Sequence, residues 1–318
     1  MDKDDNGLIR RILKKIGDAG LMEKLDALSP SDTHSLMLEW FKRQSEKQPP
    51  AVTLKRYRLN RFVKPGALDP IAYIQQELEI LAFAGERGIE PVLLSPAALF
   101  ASCSSVAPVS QYKILSAVRG TEVLSDPTNM LALYLAEKLD GGEWENSDRN
   151  LHLCAAHRAV RAQAFSGPHS FAHFGLFAMV SSGLDSGSYR CEWEMLTHQL
   201  RFYDAYLRAA LGADISILLR SRKGYTDSRG FMERTCEYIK SEFPGMPLEM
   251  DTAESDNEYY RGLNFKIEMR VKDEVIEIGD GGFVDWTQKL LGCKKERLLI
   301  SAIGLDRLIL LKAAKESS

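Results

Sequence analysis

The sequence lacks several features whose absence narrows its function. No apolar run approaches the ~20 residues that a helical bilayer span needs. The N-terminus, MDKDDNGLIRRILKK, is charged and has no apolar core, so no secretory signal is expected. Only five cysteines occur (Cys103, Cys154, Cys191, Cys236 and Cys293), scattered and without a CxxC pair. That pattern suggests neither a zinc knuckle nor a disulfide framework, and a reducing cytoplasmic setting is expected. The six histidines are scattered too, with no HExxH pair. No GxGxxG opens a helix after a strand and no GxxxxGK[ST] exists, so the two common nucleotide folds have no support. Charge of one sign is not in excess. Lys and Arg number 41, Asp and Glu 44, for a formal net charge of -3. This argues against coating nucleic acid by bulk charge and leaves room for a local basic groove. No repeat or low-complexity tract interrupts the chain.

What is present is a normal globular composition, 45% hydrophobic over 318 residues, enough for a sizeable core and about two domains. Residues 1 to about 47 read as helical. Leu8, Ile9, Ile12, Leu13 and Ile16 form a stripe, with Arg10, Arg11, Lys14 and Lys15 elsewhere on the wheel. That basic face is either solvated or a contact for RNA or a partner. A second helix starts near Ser31 or Asp32, and Pro49-Pro50 ends it. Residues 51–64 read as a linker, so the expected division is a helical region and linker over 1–64 and a body over 65–318. Asp69 and Pro70 open the first helix of the body. Strands are expected at 113–118, 121–124, 151–162, 170–180, 215–219, 265–271, 275–278 and 298–303. Helices are expected at about 127–139, 192–211, 230–243 and 305–314, with a glycine-rich bend at Gly279-Asp280-Gly281-Gly282. Strands come in hairpin-like pairs with helices between. That order predicts an α+β fold, an antiparallel sheet flanked by helices, with a small N-terminal helical region.

Several segments, in this order, resemble the catalytic core of class II aminoacyl-tRNA synthetases over about residues 69–315. The histidyl-tRNA synthetase group and the related regulatory subunit of ATP phosphoribosyltransferase are the nearest in pattern. ELEILAFAGERGIEPVLLSP, ending at Pro96, resembles the helix–strand–proline element that builds the family's dimer interface. RGTEVLSDPTNMLALYLAEKL resembles the strand–turn–helix with an Arg-Pro-Glu-Gly-Thr turn. Asp126 and Thr128 fall in that turn, and Asp126 either holds a substrate amine or simply caps the helix. HRAVRAQAFSGPHSFAHFGLFAM resembles the second motif, in which Arg158 takes the place of the arginine on the α-phosphate of ATP. A guanidinium fork suits the charge that spreads over that phosphorus. Phe174 lies on the returning strand with the family's aromatic. Arg161 and His169 are alternative contacts from the loop. The motif's two acids are replaced here by Val160 and Phe177.

SDNEYYRGLNFKIEM resembles Arg-Gly-Leu-Asp-Tyr-Tyr-Thr-Gly-x-x-Phe through Tyr259, Tyr260, Gly262 and Phe265, with Ser255 in place of its arginine. EIGDGGFVDWTQKLLG resembles the Gly-rich strand through Gly281, Gly282 and Asp285, with Phe283 replacing an arginine, and Glu277 takes the position of a magnesium-bridging acid. LLISAIGLDRLILL resembles the third motif through Gly304, Leu305, Asp306 and Arg307. The resemblance implies catalytic roles for Arg158 and Arg307, and an ATP site of Arg158, His169, Phe174, Glu277, Gly304 and Arg307. It also implies a substrate site of Asp126, Thr128, Tyr259, Tyr260, Gly281 and Gly282, with Mg²⁺ on Glu277.

The chain ends eleven residues after Arg307, so no anticodon recognition is expected. Two functions follow from the resemblance. One is a stand-alone paralogue that binds ATP and an amino acid or similar small carboxylic acid and forms an acyl-adenylate, for transfer to a tRNA acceptor stem or another acceptor. The other is an inactive regulatory or amino-acid-binding subunit that acts with a protein partner. A homodimer and no membrane association are implied in both.

Overall fold

A computed structural model describes residues 5–144, 150–163, 172–253, 259–271 and 274–316. Four helices come first: α1 (Asp5–Ile16), α2 (Leu21–Asp26), α3 (Pro30–Glu46) and α4 (Pro50–Leu59). Ser29 caps α3, its hydroxyl accepting from the Asp32 N–H at 3.1 Å. The expected linker at 51–64 is mostly helix instead. α3 ends at Glu46, but Pro49 is the N-cap of α4 and Pro50 sits in its first turn, where a missing N–H costs nothing. None of the described side chains of α1 to α4 is buried.

The body opens with α5 (Pro70–Gly85), whose cap Asp69 accepts from the Ile71 N–H at 2.8 Å. Then follow β1 (Glu90–Pro91), β2 (Ala97–Leu99), β3 (Thr121–Val123), α6 (Pro127–Asp140), β4 (Leu151–Val160), β5 (His173–Leu184) and α7 (Arg190–Leu211). After them come β6 (Ile215–Ser221), α8 (Ser228–Glu242), β7 (Leu248–Asp251), β8 (Arg261–Val271), β9 (Glu274–Val284), α9 (Trp286–Leu291), β10 (Glu296–Gly304) and α10 (Leu305–Glu316).

Eight strands form one sheet in the order β1-β4-β5-β10-β9-β8-β6-β7. Its six central strands run antiparallel to their neighbours, while β1 on β4 and β7 on β6 are parallel. The expected antiparallel sheet flanked by helices is thus present, with one parallel strand added at each edge. Those edge strands are short; β1 connects to β4 through β2, β3 and α6, and β6 to β7 through α8, the kind of crossover that parallel pairing requires. The expected strand at 113–118 is also absent. Gln111–Lys113 is a 3₁₀ turn and Ser116 makes one isolated bridge to Glu122, because β3 already pairs with β2. Glu122 is buried and accepts from the Ala101 and Cys103 N–H groups and from Ser102 and Gln111, which pins this loop.

Side chains alternate across the sheet and build two cores. Cys154, Phe177, Met179 and Leu299 face α5 and α7, where Phe177 stacks on Phe202. Leu153, Ala155, Ala178, Val180 and Ile300 face α6 and Trp286. The expected bend at Gly279–Gly282 is strand, paired on both sides: Gly281 lies opposite Ser301 on β10 and Phe265 on β8.

Candidate functional site

A cavity of about 710 Å³ opens on the α6 side of the sheet, a volume typical of small-molecule sites. The N-terminus of α6 brings Asp126 and Thr128 to it, and the β4–β5 hairpin brings Arg161 and Phe174. Tyr259 and Tyr260 reach it from just before β8. Glu277 and Asp280 come from β9, Ser301 and Gly304 from β10, and Arg307 from the start of α10.

Asp126 fills both roles left open by its sequence. Its Oδ1 caps α6, accepting from the Thr128 N–H at 3.0 Å and hydroxyl at 2.8 Å. Its Oδ2 accepts from the Tyr259 hydroxyl at 3.4 Å and lies 3.7 Å from Arg161 Nη2. Arg161 is aimed by donating Nε–H to the Ser125 carbonyl at 3.2 Å, and its guanidinium lies 5.2 Å above the Phe174 ring. A second carboxylate, Asp280, accepts from the Tyr260 hydroxyl at 3.0 Å. Burial pushes the Asp280 pKa above its ordinary value. The nearby carboxylates of Glu277 and Asp126 push the same way, against the Tyr260 hydrogen bond. Both phenols are likewise raised well above their ordinary value, chiefly by burial, and so stay protonated donors. Their rings meet edge-to-face at 4.8 Å, and Tyr259 rests on Trp286.

Gly282 explains how Tyr260 comes so near β9. A Cβ there would sit 2.6 Å from Tyr260 Cδ1 and 2.8 Å from Asn264 Cβ. Gly281 is similar, with Phe265 and Ser301 closing on it. Both glycines are buried within the strand and do not line the cavity, so the substrate contacts expected of them are not where the structure puts them. Arg307, an exposed side chain at the cavity, donates to the Glu277 main-chain carbonyl, and the Glu277 carboxylate is ion-paired with Lys266.

Arg158 does not line the cavity, although its partner Asp306 does. Residues 154, 156 and 158 point to the α5 side of the sheet, the opposite face from the α6 core. Arg158 Nη2 donates to His173 Nδ1 at 2.8 Å, and Nη1 reaches Asp306 Oδ1 at 3.5 Å. Its guanidinium lies 4.8 Å over the Tyr73 ring. His173 passes the order on, donating Nε2–H to the Lys64 carbonyl at 2.6 Å. Asp306 also accepts from the Gly175 N–H at 2.8 Å. Val160 shares the parity of Arg158, and Phe177 belongs to the α5 and α7 core, so neither replacement removes an acid from the cavity. His169 and Ser255 lie outside the described residues. The sequence reading missed Asp280 as a site residue. Its one signal was a lone carboxylate between glycines in EIGDGG.

In sequence, the chain matches no family model and no curated protein. In structure it is similar to several solved proteins. One is an ATP phosphoribosyltransferase regulatory subunit/histidyl-tRNA synthetase from Bacillus halodurans, with a TM-score of 0.58 and 12% identity over 79% of this chain and 83% of that one. Another is the RNA binding domain of threonyl-tRNA synthetase from Cryptosporidium parvum, with a TM-score of 0.61 and 11% identity over 80% and 68%. A third is the apo histidyl-tRNA synthetase of S. aureus, with a TM-score of 0.58 and 13% identity over 81% and 70%. At such identities the likeness establishes the fold: a class II aminoacyl-tRNA synthetase-like α+β core. Fold of this kind does not fix an activity.

Proposed function

We propose that this chain binds an amino acid, or a similar small acid bearing an ammonium group, and works as a ligand-binding regulatory subunit on a class II synthetase-like core. The observation behind this is the charge layout of the cavity. Of the four carboxylates that line it, Glu277 and Asp306 are paired with Lys266 and Arg158, while Asp126 and Asp280 meet two phenol donors, and Arg161 and Arg307 line the same space. Acceptors suit an ammonium and guanidinium forks suit a carboxylate, so the lining complements a zwitterion. The raised Asp280 adds to the argument, because a bound cation relieves the repulsion among the neighbouring acids.

A second reading is acyl-adenylate formation. It is favoured by Phe174, Arg161 and Arg307 all lining the cavity, which gives a nucleotide an aromatic face and two cations. The metal part fits less well. The Glu277 carboxylate is held by Lys266, and among the described residues no group of three or more His, Cys, Asp or Glu side chains gathers to hold an ion. No step through Mg²⁺ is therefore derived. Arg158, engaged on the other face, is left with a structural role.

The test is thermal stabilisation by each of the standard amino acids, run beside ATP–pyrophosphate exchange with Mg²⁺. Stabilisation by one amino acid or a related group, without exchange, supports the binding role. Exchange lost in Arg161→Ala would move the assignment to the enzyme. Stabilisation by none would reject amino-acid binding.

We place homodimerisation and a cytoplasmic location in the same proposal. Ile71, Ile74 and Leu78 on α5 are 59–68% exposed and Leu93 is 97% exposed, an apolar surface that suits association. The described cysteines are all free, and no described helix is long and apolar enough to cross a membrane.

A further inference from the structure

The stretch between Glu46 and Asp69 carries six cations, Lys47, Lys55, Arg56, Arg58, Arg61 and Lys64, and no acidic residue. In α2 and α3, by contrast, Lys24 pairs with Asp18, Lys42 with Glu46 and Arg43 with Glu39. Among the described residues none of the six has one. Every residue of α4 is exposed and the helix buries nothing, so its basic groups are not spent on packing. Aromatic rings alternate with them. Lys64 Nζ lies 4.1 Å over Tyr57, and the Arg61 guanidinium lies 4.4 Å over Phe62.

The segment is also fixed in place. Arg61 Nη2 donates to the Ala162 carbonyl and, at 3.1 Å, to that of Gln163. The Lys64 carbonyl takes the His173 hydrogen bond. Both anchors lie on the β4–β5 hairpin that supplies Arg161 and Phe174 to the cavity.

We propose that α4 and the turn after it form a binding surface for the phosphate backbone of single-stranded RNA beside the β4–β5 hairpin. Cations spaced along an exposed segment with interleaved aromatic rings are what such strands need: charge for the backbone and faces for the bases. The wheel of α4 separates this from a lipid surface. Lys55, Arg56 and Arg58 alternate around the axis with Val52, Leu54, Tyr57 and Leu59, so no apolar face is segregated. A helix lying on a membrane needs that segregation. The stripe of α1, by contrast, is segregated, which makes α1 the internal control.

The experiment uses the full chain and a fluorescein-labelled oligouridylate, read by anisotropy across a KCl series. Each phosphate contact on a single strand contributes about -0.7 to the slope of log K against log salt. The triple variant Lys55→Gln, Arg56→Gln, Arg58→Gln is expected to flatten that slope by about 2 units, with an unchanged melting temperature. The matched variant Arg10→Gln, Arg11→Gln, Lys14→Gln is expected to leave it unchanged. Phosphatidylcholine–phosphatidylserine vesicles form the second arm. No RNA binding, an equal loss of slope in both variants, or α4-dependent binding to vesicles instead of RNA would each overturn the proposal.

Discussion

Two arginines three residues apart separate the structural account from the one that sequence pattern alone suggests. Arg158 points to the α5 side, 3.5 Å from Asp306, with about a third of its side chain exposed. Arg158→Ala removes this pair and the hydrogen bond to His173, while Asp306 keeps the Gly175 N–H. Partly exposed charge-assisted bonds of this kind are worth about 1–2 kcal/mol in sum, a fall of several degrees in Tm. Ligand affinity is expected to fall less than in Arg161→Ala, since Arg158 does not line the cavity and reaches it only through Asp306, which stays held by the Gly175 N–H. Arg161→Ala acts in reverse. Its contacts in the free protein are a 3.7 Å approach to Asp126, one backbone carbonyl and the face of Phe174, all partly exposed, so stability falls by no more than about 1 kcal/mol. A lost guanidinium–carboxylate contact costs about 1.5–3 kcal/mol, or roughly 10- to 100-fold in Kd. Release of Asp126 from its partly exposed pair offsets less than about 1 kcal/mol of that. Titration calorimetry with the stabilising amino acid, beside scanning calorimetry of both variants, measures the four quantities. An affinity loss in Arg158→Ala with none in Arg161→Ala would refute the assignment of faces.

Four further outcomes are expected. Ammonium-ligand affinity should fall as pH drops through the raised Asp280 pKa, by up to about tenfold per pH unit, and Asp280→Asn should lower affinity and abolish the dependence. A carboxyl raised in the folded state binds more protons there than when unfolded. Stability of the unliganded wild type should therefore decline as pH rises through that folded pKa, and the Asn variant should lack the decline in denaturant titrations. Gly282→Ala should cost about 1–3 kcal/mol by crowding Tyr260, visible as a lower urea midpoint, and should weaken ligand binding by moving the phenol from Asp280. Ile74→Asp with Leu78→Asp should shift the chain to monomer in light scattering, and a wild type that is already monomeric would refute the dimer.

Local chemistry explains which parts of the fold could be read in advance. Asp69-Pro70 and Asp126-Pro127 mark helix starts because the cap and the fixed proline φ act within a few residues. The alternating run of β8 and the continuous apolar run of β10 are likewise legible. Pro50 is harder, since the same residue that blocks one helix opens another. The glycines of β9 are ambiguous because pairing on both sides, a nonlocal fact, turns a flexible tract into a strand. Parity was the costliest gap. A one-residue slip in β4 moves every side chain to the other face, and only the pairing of Arg158 with Gly175 fixes it. Asp126, Thr128, Tyr259, Tyr260, Phe174, Glu277, Gly304 and Arg307 were legible from pattern and do converge on one cavity. Asp280 was not, because its importance comes from burial and a tyrosine partner brought from 20 residues away.

The central claim is that an acid pair in this cavity recognises the ammonium of an amino acid. Its most direct test is equilibrium titration of the standard amino acids into wild type and Asp280→Asn at neutral pH. The account predicts saturable one-site binding of an amino acid that is weakened at least tenfold by the variant, and no binding of the matching deaminated acid. Equal binding by both proteins, or tighter binding of the deaminated acid, would contradict it.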